Sequence, residues 1–278
     1  MSGALEWSLV TVTYNSEEAL RRFHGGVRFP PGTEWVVVDN ASTDDSVAVA
    51  HELGARVIEL PDNRGFSAAN NVGLRSSRAR YIGFVNPDLS VVVSDLPVLA
   101  AHLERGREHL VVPQLLEADG KVQPNGRGVP TVLRKLLNRS SRPRDGYRIV
   151  AGAREDRLVA WGMGAAVFGK RSTFDALGGW DERFFVYYED HDLGLRAWRH
   201  GVPVVLHGGV RWTHGWARET TRFRFRPWLM EFHGAAQFFS RYPQLLAHDK
   251  LYRRGDDLHR VVGQVTNEFV DDGTPDRV

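Results

Sequence analysis

The chain has 278 residues, 42% of them apolar and 25% charged, enough to bury a sizeable core in one large domain or two small ones. Its 36 Lys and Arg against 34 Asp and Glu leave a formal charge of +2, which gives no support to a nucleic-acid partner, and the absence of cysteine excludes disulfides, thiolate metal sites and a cysteine nucleophile. No apolar run approaches the ~18 residues of a membrane span, and the opening Met-Ser-Gly-Ala-Leu-Glu does not read as a signal peptide, so a cytoplasmic location is expected.

In chain order, short apolar runs at Trp7 to Thr13, Trp35 to Val38, Arg56 to Leu60 and Tyr81 to Val85 predict strands. Between them Glu17 to Phe23, Asp44 to Leu53 and Ser67 to Arg75 predict helices, with Ser16, Ser42 and Ser67 as caps. The runs are continuous rather than alternating, which suggests strands buried on both faces in a parallel β/α/β sheet. From Val112 the pattern loosens. Residues 116–150 read as a loop-rich insert, with helix near Val132 to Leu137 and a basic stretch through Arg134, Lys135, Arg139, Arg142, Arg144 and Arg148. Order returns at Leu158 to Phe168. Helices follow near Ser172 to Leu177 and Glu189 to His200, strands near Val202 to Leu206 and Val210 to Thr213, and amphipathic helix between Arg222 and Leu258.

Polar clusters end three of the early strands: Thr13-Tyr14-Asn15, Asp39-Asn40-Ala41-Ser42 and Asn86-Pro87-Asp88. In an open parallel sheet these ends line the ligand crevice, although such residues also end strands simply because they make turns. Asp39 can accept from a ring N–H of a base, while Asn40 and Asp44 can fix a ribose or the turn. Asp88 can hold a hard divalent cation whose other ligands come from a diphosphate. Arg64 and Gly65 open a helix that carries Asn70 and Asn71, where an anion can dock. Further on, Asp181, Glu189, Asp190 and Asp192 crowd beside Phe184, Phe185, Tyr187 and Tyr188. Carboxylates against an apolar wall and near like charge are where a pKa rises and a general base is tuned, so Asp190 is the candidate base. Asp192 is placed to pair with Arg196 at i, i+4.

Taken together, Val12-Thr13-Tyr14-Asn15, Val36 to Asp44, Asn63-Arg64-Gly65-Phe66 with Asn70-Asn71-Gly73, Asn86-Pro87-Asp88, and Gly178-Gly179-Trp180-Asp181 running into Glu189-Asp190-His191-Asp192 resemble a family 2 glycosyltransferase. The set spans roughly residues 7–216. Asn-Pro-Asp in place of Asp-x-Asp, with Asp119 to Arg127 and Pro130-Thr131, is similar to the rhamnosyltransferase-like branch. The resemblance implies an α/β fold of the GT-A type: a Rossmann-like, mostly parallel central sheet with flanking helices. It further implies a nucleotide-sugar half at 1–115, an acceptor and catalytic half at 116–220, and a C-terminal helical extension at 221–278.

Carried over, Thr13 and Asp39 contact the base, Asp44 the nucleotide's sugar or its loop, and Tyr14, Asn15, Asn40, Arg64, Gly65, Asn70 and Asn86 complete the donor site. Asp88 ligates Mg²⁺ or Mn²⁺, with His214 as a second contact, and Asp190 deprotonates the acceptor hydroxyl in an inverting transfer. Asn86 replaces one acidic ligand, so the cation is expected to be weakly held. The expected donor is a nucleotide-diphosphate-sugar, dTDP-rhamnose by branch. The expected acceptor is a glycan, lipid-linked or small-molecule hydroxyl, approached by Trp161, Trp180, Asp181 and Glu189. The basic insert and the C-terminal helices suggest peripheral contact with the inner face of the membrane, or a homodimer. A non-catalytic subunit binding a nucleotide-sugar or glycan is the alternative; the absence of Gly-x-Gly-x-x-Gly after the first strand disfavours a dehydrogenase.

Overall fold

The computed structural model describes residues 5–132, 147–215 and 225–246. The helix expected near Val132 to Leu137, most of the basic insert, Trp216 and the chain after 246 lie outside them, and so do the side chains of 225–229, Trp228 among them.

The four early strands form as the apolar runs predict: β1 (Trp7–Thr13), β2 (Thr33–Asp39), β3 (Arg56–Glu59) and β4 (Tyr81–Val85). They alternate with α1 (Glu17–His24), α2 (Ser46–Glu52) and α3 (Gly65–Ser76). Two elements that the apolar runs do not predict follow, α4 (Leu96–Leu103) and β5 (Leu110–Leu116). Then come β6 (Gly126–Arg127), β7 (Arg148–Ile149), β8 (Asp156–Val159), β9 (Trp161–Gly162), β10 (Ala166–Lys170), α5 (Arg171–Leu177), α6 (Glu189–Arg199), β11 (Val204–Thr213) and α7 (Phe225–Arg241).

Eight strands make one mixed, mostly parallel sheet in the order β3-β2-β1-β4-β10-β5-β11-β8, and β7-β6-β9 form a small second sheet. Strand β10 runs antiparallel between β4 and β5, so residues from the first and second parts of the chain share one sheet. The central strands are buried on both faces, while the edge strands β3 and β8 are partly exposed. Trp7, Leu9, Trp35 and Val37 face a layer with α1, α2 and α4, while Val10, Val36 and Val38 face α3, α5 and α6. A third cluster docks Phe238, Tyr242 and Leu245 on Phe184, Tyr188 and Leu195, so α7 covers core and is not a free amphipathic face. Trp198 is buried in the core with Leu193, as its helix face predicts.

The two strands expected at 202–206 and 210–213 are one. Strand β11 pairs with β5 throughout but shifts register between His207 and Arg211, a β-bulge around Gly208 and Gly209. A Cβ on Gly208 would meet the Gly152 carbonyl, so glycine is required there. Pro113 in β5 lies opposite His207, where the bulge begins. A proline inside a strand is tolerated at such a break, and it is the reason β5 does not read as a strand from sequence.

Candidate active site

Strands β1 and β2 are parallel and in register, with Thr13 opposite Asp39, so both polar strand ends reach the same edge of the sheet. There the backbone turns through unusual conformations. The four non-glycine residues with positive φ among the described residues are Asn15, Ala41, Tyr187 and Tyr188, all at or next to this edge, a concentration of strain typical of functional sites. Asn15 and Tyr187 line a cleft of about 760 Å³. Tyr14, Asn15, Asn40, Gly65, Asn86 and Asp88 of the expected donor residues line it, facing Phe66, Phe185 and Tyr187.

Thr13 and Asp39 do not. Both are buried, and the Thr13 hydroxyl donates to Asp39 Oδ1 at 2.9 Å. The Ser42 hydroxyl and N–H also donate to Asp39, at 2.5 and 2.8 Å. The expected base contact is corrected: these residues lock the Asn40 to Ser42 turn, because a strand-end carboxylate finds the turn's donors closer than any ligand. The turn in turn holds Asn15, whose N–H donates to Ser42 Oγ and whose Oδ1 accepts from Thr43 N.

Asp44 is likewise turned inward. Its Oδ1 accepts from Ser46 N at 3.1 Å and its Oδ2 from Glu17 N at 3.1 Å, so one carboxylate caps both α1 and α2. Burial acts against its ionisation, but these bonds outweigh that and hold it below the ordinary carboxylate range. The caps expected of Ser16, Ser42 and Ser67 are therefore not the ones used: Asp44 serves Glu17, Ser42 serves Asp39, and Ser67 lies inside α3.

The α3 N-terminus is also less open than expected. Arg64 N donates to Asn40 Oδ1, Gly65 N to Asn63 Oδ1 and Phe66 N to the Phe185 carbonyl, leaving the exposed Arg64 side chain as the anion contact. Asn70 is buried and bonds the Phe66 carbonyl one turn back, so it braces the helix and does not reach the cleft. Asn71, one position on, clasps the Trp180 backbone in both directions, at 2.8 and 2.9 Å.

Asp88 and His214 meet as the resemblance implies. His214 leaves the end of β11, is 3% exposed, and holds Nε2 at 3.4 Å from Asp88 Oδ1. Its Nδ1 lies 3.0 Å from Gln123 Oε1. An amide oxygen only accepts, so Nδ1 carries a proton toward Gln123 and Nε2 is the nitrogen that faces the carboxylate. An imidazole nitrogen and a carboxylate oxygen are donor types that can hold a divalent cation.

Asp190 sits at the first turn of α6, behind Phe66 and beneath Gly164, and not in the cleft lining. Its Oδ1 accepts from His191 N at 2.8 Å and lies 2.6 Å from His191 Nδ1, while Oδ2 accepts from Gly164 N at 3.2 Å. Burial pushes its pKa up, but the His191 imidazole and these bonds pull harder and leave it below the usual range. The expected rise is thus corrected: the decisive neighbour is a histidine, not another carboxylate. His191 stacks on Trp161 with ring centroids 3.5 Å apart. Its adjacency to Asp190 is visible in the sequence, and it is the residue that the carboxylate pattern overlooks.

The acceptor residues are corrected too. Trp180 is 1% exposed, edge-on to Phe66 and Phe84, and Trp161 is covered by His191, so neither offers a sugar an open ring face. Asp181 pairs with Arg183 at 2.6 Å and with Arg241 of α7, and both arginines hold it well below the carboxylate range. Glu189 is 8% exposed. Asp192 bonds Arg196 at 2.6 Å, as its spacing predicts, and accepts from the Tyr242 hydroxyl at 2.7 Å. These acids tie α7 to the helix that carries Asp190.

A doubly covered, mostly parallel sheet with a polar cleft at its carboxyl edge and a carboxylate–imidazole pair beside it defines a nucleotide-binding α/β enzyme. The family model for Glycosyl transferase family 2 matches residues 8–157, and the chain belongs to that family. It is 27% identical over 237 residues to the N-acetylglucosaminyl-diphospho-decaprenol L-rhamnosyltransferase of Mycobacterium tuberculosis, covering 77% of each chain. It is 25% identical to the low-salt glycan biosynthesis hexosyltransferase Agl10 of Haloferax volcanii, over 78% of this chain and 69% of that one. Among solved structures, the mannosyltransferase PcManGT of Pyrobaculum calidifontis, in complex with GDP-Man and Mn²⁺, superposes with a TM-score of 0.60 at 17% identity, over 87% of this chain and 65% of that one. S. aureus TarS 1-349 superposes at 0.54 and 19%, and this chain spans 60% of its length. The fold is that of the GT-A glycosyltransferases. Among the described residues no helix is long and apolar enough to cross a membrane.

Proposed function

We propose that the chain transfers a sugar, L-rhamnose from dTDP-rhamnose, to a hydroxyl of a glycan, lipid-linked or small-molecule acceptor, with inversion at the anomeric carbon. The observation that carries the transfer is the cleft itself, which Asn15, Asn40, Asn86 and Asp88 line together, with His214 behind Asp88 at 3.4 Å. The donor sugar rests on the Asn-Pro-Asp pattern and on the name of the mycobacterial relative, whose decaprenol-linked substrate also supports a lipid-linked acceptor and peripheral contact with the inner leaflet. In this proposal the donor half is 1–115, the acceptor half 116–220, and residues 221–278 follow them.

In this reading the nucleotide lies along Tyr14 and Asn15, with Asp39 holding their turn, and the exposed Arg64 meets phosphate at the rim. When bound, Mg²⁺ or Mn²⁺ on Asp88 and His214 offsets charge on the diphosphate. Phe185 and Tyr187 face the sugar and acceptor. The acceptor oxygen bonds the anomeric carbon as the bond to the diphosphate oxygen breaks, and the hydroxyl proton passes to Asp190. Its Oδ2, engaged only by the Gly164 N–H, keeps a lone pair for that proton, and His191 keeps the carboxylate ionised until it is needed.

Calorimetric titration with dTDP, UDP, GDP and ADP, each with and without Mg²⁺ or Mn²⁺, tests the donor half. Pyrimidine-selective, metal-strengthened binding is expected. Equal affinity for all four would remove the donor assignment.

A further inference from the structure

Away from the cleft, three side chains from three elements converge on one point: His102 near the end of α4, Asp156 opening β8 and His207 at the bulge of β11. His102 Nε2 lies 3.0 Å from Asp156 Oδ2, and His207 Nδ1 lies 2.6 Å from Asp156 Oδ1. All three donor atoms fall within 4.8 Å of one another. Around a cation with bonds of about 2.0–2.2 Å, tetrahedral ligand atoms sit roughly 3.3–3.5 Å apart, so these side chains, which touch one another directly, would have to part by less than about 1 Å to take one.

The proton positions sharpen the point. His109 Nδ1 lies 2.8 Å from the Arg107 carbonyl, which can only accept, so that nitrogen carries the hydrogen. His109 Nε2 lies 3.0 Å from His102 Nδ1, a contact that engages the far nitrogen of His102 and leaves its Nε2 facing Asp156. Histidine ligands of metals are typically oriented in this way, by a hydrogen bond on the far nitrogen. His207 adds a second imidazole to the same carboxylate, and its Nε2 is buried with no partner among the described residues. His102 and His207 are nearly buried at 4% and 13% side-chain exposure, whereas Asp156 is open at 44%, which leaves a solvent side for entry and for a water ligand.

We propose that His102, Asp156 and His207 bind one Zn²⁺ ion, with water as the fourth ligand, at a site separate from the Asp88–His214 pair. Two nitrogens and one oxygen suit zinc and disfavour Mg²⁺, which takes oxygen ligands. By the β5 register His207 lies opposite Pro113 and Thr213 opposite Leu116, so His207 and the strand end that precedes His214 are about 10 Å apart at ~3.3 Å per residue, too far for one ion to ligate both histidines, and none of the three residues lines the cleft. Its role is to pin α4 and the edge strand β8 to β11.

The test is titration of chelator-stripped, untagged protein with Zn²⁺ by calorimetry, alongside thermal unfolding and Co²⁺ substitution followed by visible absorption. One ion per chain, a rise in Tm, and intense tetrahedral Co²⁺ bands are expected. His207→Ala and Asp156→Asn should lose all three, while Asp88→Ala keeps them. Absence of binding to the wild-type chain overturns the proposal, and so does zinc binding that survives Asp156→Asn but fails in Asp88→Ala. Because Asp156 is half exposed, Asp156→Asn keeps the test sound if His207→Ala does not fold.

Discussion

His214 Nε2 faces Asp88 Oδ1 at 3.4 Å, bringing the end of β11 against the loop that follows β4. The backbone seals the same junction: Gly215 N donates to the Asp88 carbonyl at 2.7 Å, and Leu89 bridges His214. The strands themselves bring the pair together, as the proposed cation site requires. Asp88→Ala should abolish the metal-dependent part of diphosphate binding, and His214→Ala should weaken it while sparing metal-free nucleotide binding. Calorimetry with and without Mn²⁺ separates the two.

Asp190→Asn should lower kcat by about 10²–10⁴-fold with nucleotide affinity unchanged, the usual range for loss of a general base. Unaltered turnover in a folded variant removes Asp190 from the chemistry.

His191→Ala tests what holds the Asp190 carboxylate down. With the imidazole gone, burial dominates and the Asp190 pKa rises. The acid limb of the kcat/KM profile should move to higher pH, which a merely structural loss does not produce.

Asp192 is fully buried between Arg196 and the Tyr242 hydroxyl, with Arg241 at 3.3 Å. Asp192→Ala strands these partners and should destabilise the fold by about 3–5 kcal/mol in urea unfolding. Arg241, half outside the core, should cost less when replaced.

His24 is buried against Trp35, ring centroids 4.7 Å apart, and burial holds its pKa at about 4 against the pull of the Asn86-Pro87 backbone and Asp88. The unfolded chain, with its ordinary pKa near 6.5, binds the proton first, so stability is lost as pH falls from 6.5 towards 4. The loss amounts to about 3 kcal/mol over that window. His24→Phe, which keeps the stack, should flatten the dependence measured by unfolding at each pH.

Much of this organisation is written locally. The first four strands and three helices follow from apolar runs that need no distant partner to be recognised, and the ordered motifs point to the family before any contact is known. Elements that depend on context are not legible. Strand β5 contains Pro113, which is acceptable only because β11 bulges opposite it, and the two glycines of that bulge read as a gap between strands. Gly73, inside the helix expected at Ser67 to Arg75, is a packing site that the helix pattern does not reveal, since a Cβ there would strike Val10 of β1.

The same division runs through the site. Sequence by itself determined the class of protein, the strand ends that carry its polar residues, and the pairing of Asp192 with Arg196, because these depend on residue type and short spacing. Only the tertiary structure decided which polar groups face the cleft. Thr13, Asp39, Asp44 and Asn70 carry the right chemistry, yet each finds a nearer partner in the protein, whereas Asp88 and the Nε2 of His214 are turned to one another, with His214 Nδ1 held by Gln123. A buried polar group must be bonded, and the competition for its bonds is settled by neighbours that the linear sequence does not reveal.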